Sequence, residues 1–177
     1  SAENLADEPE IVDETLPEGE LSQPLISELA DLAGDSNNRS ATVSGYAADD
    51  LVLAVHHYFQ SETLLKERTK VRILKRSFDE LNATNPVDPV TVNRFKTALA
   101  KFNKKAAELH QLAEAAKMVN SQKKRELLEQ LKGIVEKNDP GLINEIRDIQ
   151  SKWTEIGHVP RQEFEAMMKE YRALLDQ

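Results

Sequence analysis

VTVNRFKTALAKFNKKAAELHQLAEAA, residues 90–116, is the stretch whose reading decides the fold class. Apolar side chains recur along it at Val92, Phe95, Leu99, Phe102, Ala106, Leu109, Ala113 and Ala116, in alternating steps of three and four. That spacing keeps one stripe on one side of an α-helix, whereas a half-buried strand would need a period of two. The seam is heptad-like, and its alanines suit close approach of a partner helix in a hairpin or short coiled coil. No glycine or proline falls between residues 90 and 132, so the sequence permits one very long helix. Its seam changes phase near Asn120 and Ser121 before Leu127, Leu128, Leu131, Ile134 and Val135 take over.

Toward the C-terminus, KNDPG (residues 137–141) should end that helix. Leu142, Ile146, Ile149, Trp153 and Ile156 form a second stripe, and Phe164, Met167, Met168, Tyr171, Leu174 and Leu175 a third. Three helices joined by two tight corners are the simplest way to bury three such stripes together. The second corner, SKWTEIGHVPR (residues 151–161), gathers the only tryptophan, a histidine, a glycine and a proline. Each has a structural reading: Trp153 and Ile156 extend the stripe into the core, and Gly157 is expected to take the left-handed conformation that ends a helix. Pro160 suits the first turn of the next helix, and His158 is a corner residue.

Toward the N-terminus, NATNPVDP (residues 82–89) opposes any helix. A helix from about Ser61 precedes it, with Val71, Leu74, Phe78 and Leu81 spaced 3, 4, 3. Ile146, Ile149, Trp153 and Ile156 repeat that spacing at an offset of 75 residues, a weak internal repeat with chance as its competitor. Before that helix, AADDLVLAVHHYFQ begins with Asp49 and Asp50 at the positive end of a helix dipole and carries Leu51, Val52, Val55, Tyr58 and Phe59 on one face.

The 177 residues carry a net charge of -8, unevenly divided. Residues 1–50 hold 13 acids against Arg39, a balance of -12, and the rest hold 18 acids against 22 bases, a balance of +4. Residues 1–20 have eight acids and no base, too little apolar surface to offset chain entropy, and are expected to be disordered. A short helix over 24–33, with Leu25, Leu29 and Leu32 on one face, should form only when docked, and 35–45 reads as linker. The expected organisation is an acidic tail over 1–45, a helical region over 46–119 that is a candidate degenerate repeat, and a three-helix repeat over 120–177. The fold class is all-α, an elongated helical hairpin or three-helix bundle of long antiparallel helices. The charge division suggests that the tail folds onto the domain and competes with an anionic partner.

Absence of cysteine excludes disulfides and thiol chemistry. No segment approaches the roughly 18 consecutive apolar residues of a membrane span, and no basic stretch followed by an apolar core opens the chain, so no membrane association is expected. His56 and His57 are adjacent and diverge by about 100° on a helix, so they do not form an i, i+4 metal pair. His110 and His158 stand alone. Nucleophile-elbow, P-loop and dinucleotide-binding motifs are missing, and pairs such as Glu126 with Glu129 read as solvated surface acids. No catalytic, cofactor-binding or metal-binding residue is assigned, and no cofactor is expected. The basic run KERTKVRILKR (residues 66–76) would place Arg68, Arg72, Lys75 and Arg76 within a sector of about 100° on a helix, a candidate polyanion-binding face. A solvated helix face with intrahelical ion pairs is the favoured reading of it. Lys101, Lys104, Lys105 and the Lys123–Arg125 run add positive charge on the long helix.

The C-terminal pattern KKRELLEQLKGIVE, then INEIRDIQSKWTEIGHVPR, then a helix with Phe164 and Tyr171, resembles the bacterial helical-repeat family known as domain of unknown function 349. Its core is W-x-x-I-G-x-V-P, here Trp153, Ile156, Gly157, Val159 and Pro160, and the resemblance covers residues 120–177. More loosely, DDLVLAVHHYF looks like the region preceding the repeat in Bacteroidetes-type members. The resemblance implies all-helical repeats, often in tandem, in intracellular bacterial proteins, with no enzyme activity and no catalytic residue to carry over. The expectation is therefore a non-enzymatic interaction or scaffold module in the bacterial cytoplasm with a protein partner. The alternative is a nucleic-acid or ribosome-associated protein that binds through the basic helix face.

Overall fold

The structure is a computed structural model that describes residues 15–38 and 40–177. Of the disorder expected over residues 1–20, positions 1–14 lie outside the described residues, while within 15–20 Pro17 is buried. The helices are α1 (Gln23–Ala33), α2 (Ala48–Phe59), α3 (Arg68–Thr84), α4 (Pro89–Lys137), α5 (Ile143–Glu155) and α6 (Arg161–Leu175), with single 3-10 turns at Leu64–Glu67 and Pro140–Leu142. No strand occurs among the described residues, and the class is all-α. Among the described residues no helix is long and apolar enough to cross a membrane. The chain divides into two compact units, Ser1–Glu108 and Leu109–Gln177.

In the first unit α1 is docked, as a helix of 11 residues must be to persist. Ser22 caps it by accepting the Leu25 amide, and Leu25 and Leu29 are fully buried. The segment after it is held too. Ala41 and Val43 are buried, the Val43 amide donates to Ser77 Oγ at 2.9 Å, and Arg76 Nε donates to the Ala41 carbonyl at 3.2 Å. The tail expected over 1–45 therefore needs correction: residues 22–45 belong to the packed unit, and the linker reading of 35–45 fails at Ala41 and Val43. The window reads as acidic because Asp31 and Asp35 sit on its exposed side, while its few apolar side chains face inward.

Asp50 accepts the Ala47 amide at the start of α2, which buries Leu51, Val52, Ala54, Val55 and Tyr58. From α3 the core receives Val71, Ile73, Leu74 and Phe78. Asp88 then starts α4 by accepting both the amide and the hydroxyl of Thr91, at 2.9 and 2.7 Å, and these bonds hold its carboxyl below the usual range. Phe95, Ala98, Phe102 and Ala106 of α4 are buried, with the Phe95 ring stacked on Phe78 at 4.0 Å.

The long helix is present as read, at 49 residues, but its seam is not buried throughout. No residue from 107 to 120 is buried; Leu109 and Ala113 are half-buried and Ala116 is exposed. Burial resumes at Ser121 and Lys124 and continues through Leu127, Leu128 and Leu131. The helix ends where the sequence indicated, with Asn138 at φ 48° and Asp139 accepting the Gly141 amide. In the second unit α4, α5 and α6 enclose one core of Leu127, Leu128, Leu131, Ile149, Trp153, Val159 and Met167.

Candidate functional site

The four basic residues of α3 do not act alike. Arg68, Arg72 and Lys75 border a shallow groove whose floor includes Val71, Leu99, Phe102 and Ala106. Arg76 is drawn aside to the Ala41 carbonyl. Arg68 Nε donates to the Leu65 carbonyl, and Lys75 pairs with Asp79 one turn on, at 2.9 Å. Hence three of the four cations already serve local partners, and Arg72 is exposed with no hydrogen bond or ion pair among the described residues. A polyanion would have to compete with those contacts, so the face is weaker than its sequence spacing implies.

The corner between α5 and α6 is better built. Trp153 is 6% exposed, and its ring stacks on Tyr171 at 4.1 Å with an interplanar angle of 2°. Burial raises the Tyr171 phenol above its ordinary value. On α4, Lys124 stands over the Trp153 ring at 4.7 Å, only 8% exposed, and desolvation lowers its pKa. Asn120 Nδ2 donates to the His158 carbonyl at 2.8 Å. Ser121 donates to Glu163, which also pairs with Arg125.

Four polar residues of α4, Asn120, Ser121, Lys124 and Arg125, thus face the corner from within two turns, and the seam's change of phase at Asn120 and Ser121 is their sequence trace. What the sequence pattern does not reveal is their partners, Glu163 among them, because each lies between 29 and 42 positions away. The run Lys123–Arg125 read as one patch of charge, yet Lys123 is exposed, Lys124 is buried and Arg125 is paired. Trp153 and Val159 enter the core, Ile156 is half-buried against it, and Pro160 precedes the first residue of α6.

Gly157 departs from expectation. Its φ lies outside the left-handed region, and α5 is ended instead by Ile156 turning extended, at φ -73° and ψ 131°. A Cβ on Gly157 would lie 3.1 Å from Asn120 Nδ2. The residue is small to admit the Asn120 side chain, not to permit a positive φ.

Among the described residues no group of three or more His, Cys, Asp or Glu could hold a metal ion. His158 is exposed, and the structure brings no second histidine to the corner. With this geometry in view, residues 91–162 match the family model described as Domain of Unknown Function (DUF349). Over these residues, 72 of the chain's 177, the sequence is similar to that family. The DUF349 match takes in most of α4, all of α5 and the corner, and stops at Gln162 near the start of α6. It begins earlier on α4 than residue 120, where the sequence resemblance started, and it contains only one of the two segments with 3, 4, 3 spacing. Comparison with curated proteins and with solved structures gave no match.

Proposed function

We propose that the chain is a non-enzymatic helical interaction module of the bacterial cytoplasm, and that its partner is a protein helix lying along residues 109–119 of α4. The observation that carries this reading is the exposed apolar stripe there. Leu112 is 67% exposed, Met118 59% and Val119 54%. Leu109, Leu112, Ala116 and Val119 keep steps of 3, 4 and 3, the seam a second helix would fill. The best-placed polar side chains are engaged in the fold, Asp88 as a cap, Ser77 on Val43 and Glu163 on α4, which supports a binding role over chemistry.

A photoreactive amino acid placed at Leu112 should yield one discrete adduct in the native cell, while the same residue at exposed Glu136 should yield none. Leu112→Asp, which leaves the core untouched, should abolish a nearby Met118 adduct without loss of helicity by circular dichroism. Equal labelling from 112 and 136, or none from 112, would remove this reading.

A further inference from the structure

Three open clefts adjoin the α5–α6 corner, and their charges differ. The cleft with Lys123 and Lys152 also carries Glu126 and Glu155, and the one beside Arg125 carries Glu129, Glu163 and Glu170. The third, of about 540 Å³, has no carboxylate in its lining. Lys124, His158 and Arg161 form its polar wall, and Ile156, Val159 and Phe164 its apolar wall.

Two features of that cleft are costly for the fold alone. Lys124 is more than nine-tenths buried, and among the described residues its ammonium has no carboxylate or hydrogen-bond partner, only the Trp153 ring. The ammonium itself opens into the cleft, and a cation partly desolvated and without a carboxylate partner favours a counter-anion there. Phe164, in the first turn of α6, is 49% exposed, although Trp153 and Tyr171 of the same unit are stacked against each other. Arg161 opens that helix without any side-chain cap before it, and although Glu163 in the same turn offsets part of the helix dipole, that carboxylate is turned away from the cleft onto Ser121 and Arg125.

We propose that this cleft binds a nucleotide unit, its phosphate held between Lys124 and Arg161 and its base stacked on Phe164. The cations account for the phosphate and the exposed ring for a planar, sequence-tolerant base. The cleft volume falls within the usual range for small-ligand sites, about 300 to 1,000 Å³. The unit could come from a free mononucleotide or from a single strand, and the ligand chemistry is the same. The site is separate from the exposed stripe of α4 and does not rest on it.

Trp153 is the only tryptophan and lies beneath Lys124, so fluorescence of the full chain reads the cleft directly. AMP, inorganic phosphate, adenosine and a hexa-adenylate would be titrated at low salt, with equilibrium dialysis of labelled ligand to register a fluorescence-silent complex. The expected result is saturable binding of AMP or hexa-adenylate that exceeds that of phosphate and of adenosine. Phe164→Ala and Arg161→Gln, both at exposed positions, should each weaken it by about tenfold. Hexa-adenylate binding at least tenfold tighter than AMP assigns the site to a strand, and comparable binding assigns it to the free nucleotide. No saturable binding of either, phosphate binding as well as AMP, or undiminished affinity in Phe164→Ala would each overturn the proposal.

Discussion

Replacing Gly157 by alanine separates two accounts of the corner. Were Gly157 in the left-handed region, alanine would cost about 1 kcal/mol or more through backbone strain. Its φ lies elsewhere, so the backbone accepts alanine and the unfolded chain loses entropy, a gain of roughly 0.4 to 1 kcal/mol. Against that stands the new Cβ, 3.1 Å from Asn120 Nδ2, which must displace an amide that donates to the His158 carbonyl at 2.8 Å. Weakening one such hydrogen bond costs about 0.5 to 1.5 kcal/mol. The two effects nearly cancel, and Gly157→Ala should shift stability by less than about 1 kcal/mol in either direction. The decisive measurement is a double-mutant cycle with Asn120→Ala, followed by urea unfolding of the Trp153 fluorescence. With Asn120 trimmed, the obstacle is gone, and Gly157→Ala should become stabilising by roughly 0.4 to 1 kcal/mol. A cost above about 2 kcal/mol that is the same in both backgrounds would refute this reasoning and restore the backbone explanation.

Two further outcomes are expected. Burial, and secondarily the Glu67 carboxylate, push the Tyr58 phenol up to about 12, and its hydroxyl has no hydrogen-bond partner among the described residues. The folded state keeps that proton where the unfolded state loses it near pH 10, so the contribution, on the order of 2 kcal/mol, is complete below pH 10 and lost as pH rises toward 12. Tyr58→Phe should flatten the fall in urea midpoint between pH 10 and 12 measured by circular dichroism; an unchanged slope would contradict this. Deleting residues 1–14 should leave the cooperative melt of the first unit unchanged, whereas deleting 1–45 removes buried Leu25, Leu29, Ala41 and Val43 and should abolish it. A shared, unshifted melt for both truncations would show that α1 contributes nothing.

The truncation bears on the expected competition between tail and anionic partner. Leu25 and Leu29, on the apolar face of the short helix expected to form only when docked, are fully buried core of the first unit, and Leu32 is half-buried. Any masking by acidic residues must therefore be tested with the 1–14 deletion, because the longer one removes part of the fold.

Sequence by itself determined the all-α class, the long helix, its stop at Asn138 and the stripes of the second unit. Helical period, proline and turn chemistry are local properties that a few neighbouring residues express. It also located the corner by Trp153, Ile156, Val159 and Pro160, since apolar spacing carries directly into burial. Tertiary structure alone decided which polar groups meet there. Glu163 receives Ser121 and Arg125, and Asn120 reaches the His158 carbonyl, pairings across about 40 residues that no spacing rule specifies. The same holds for the basic run on α3, where one helical face divides among Leu65, Asp79 and Ala41, and for the seam of α4. A heptad stripe states only that a helix has an apolar side; whether a neighbour covers it depends on tertiary packing, and among the described residues none from 107 to 120 is buried.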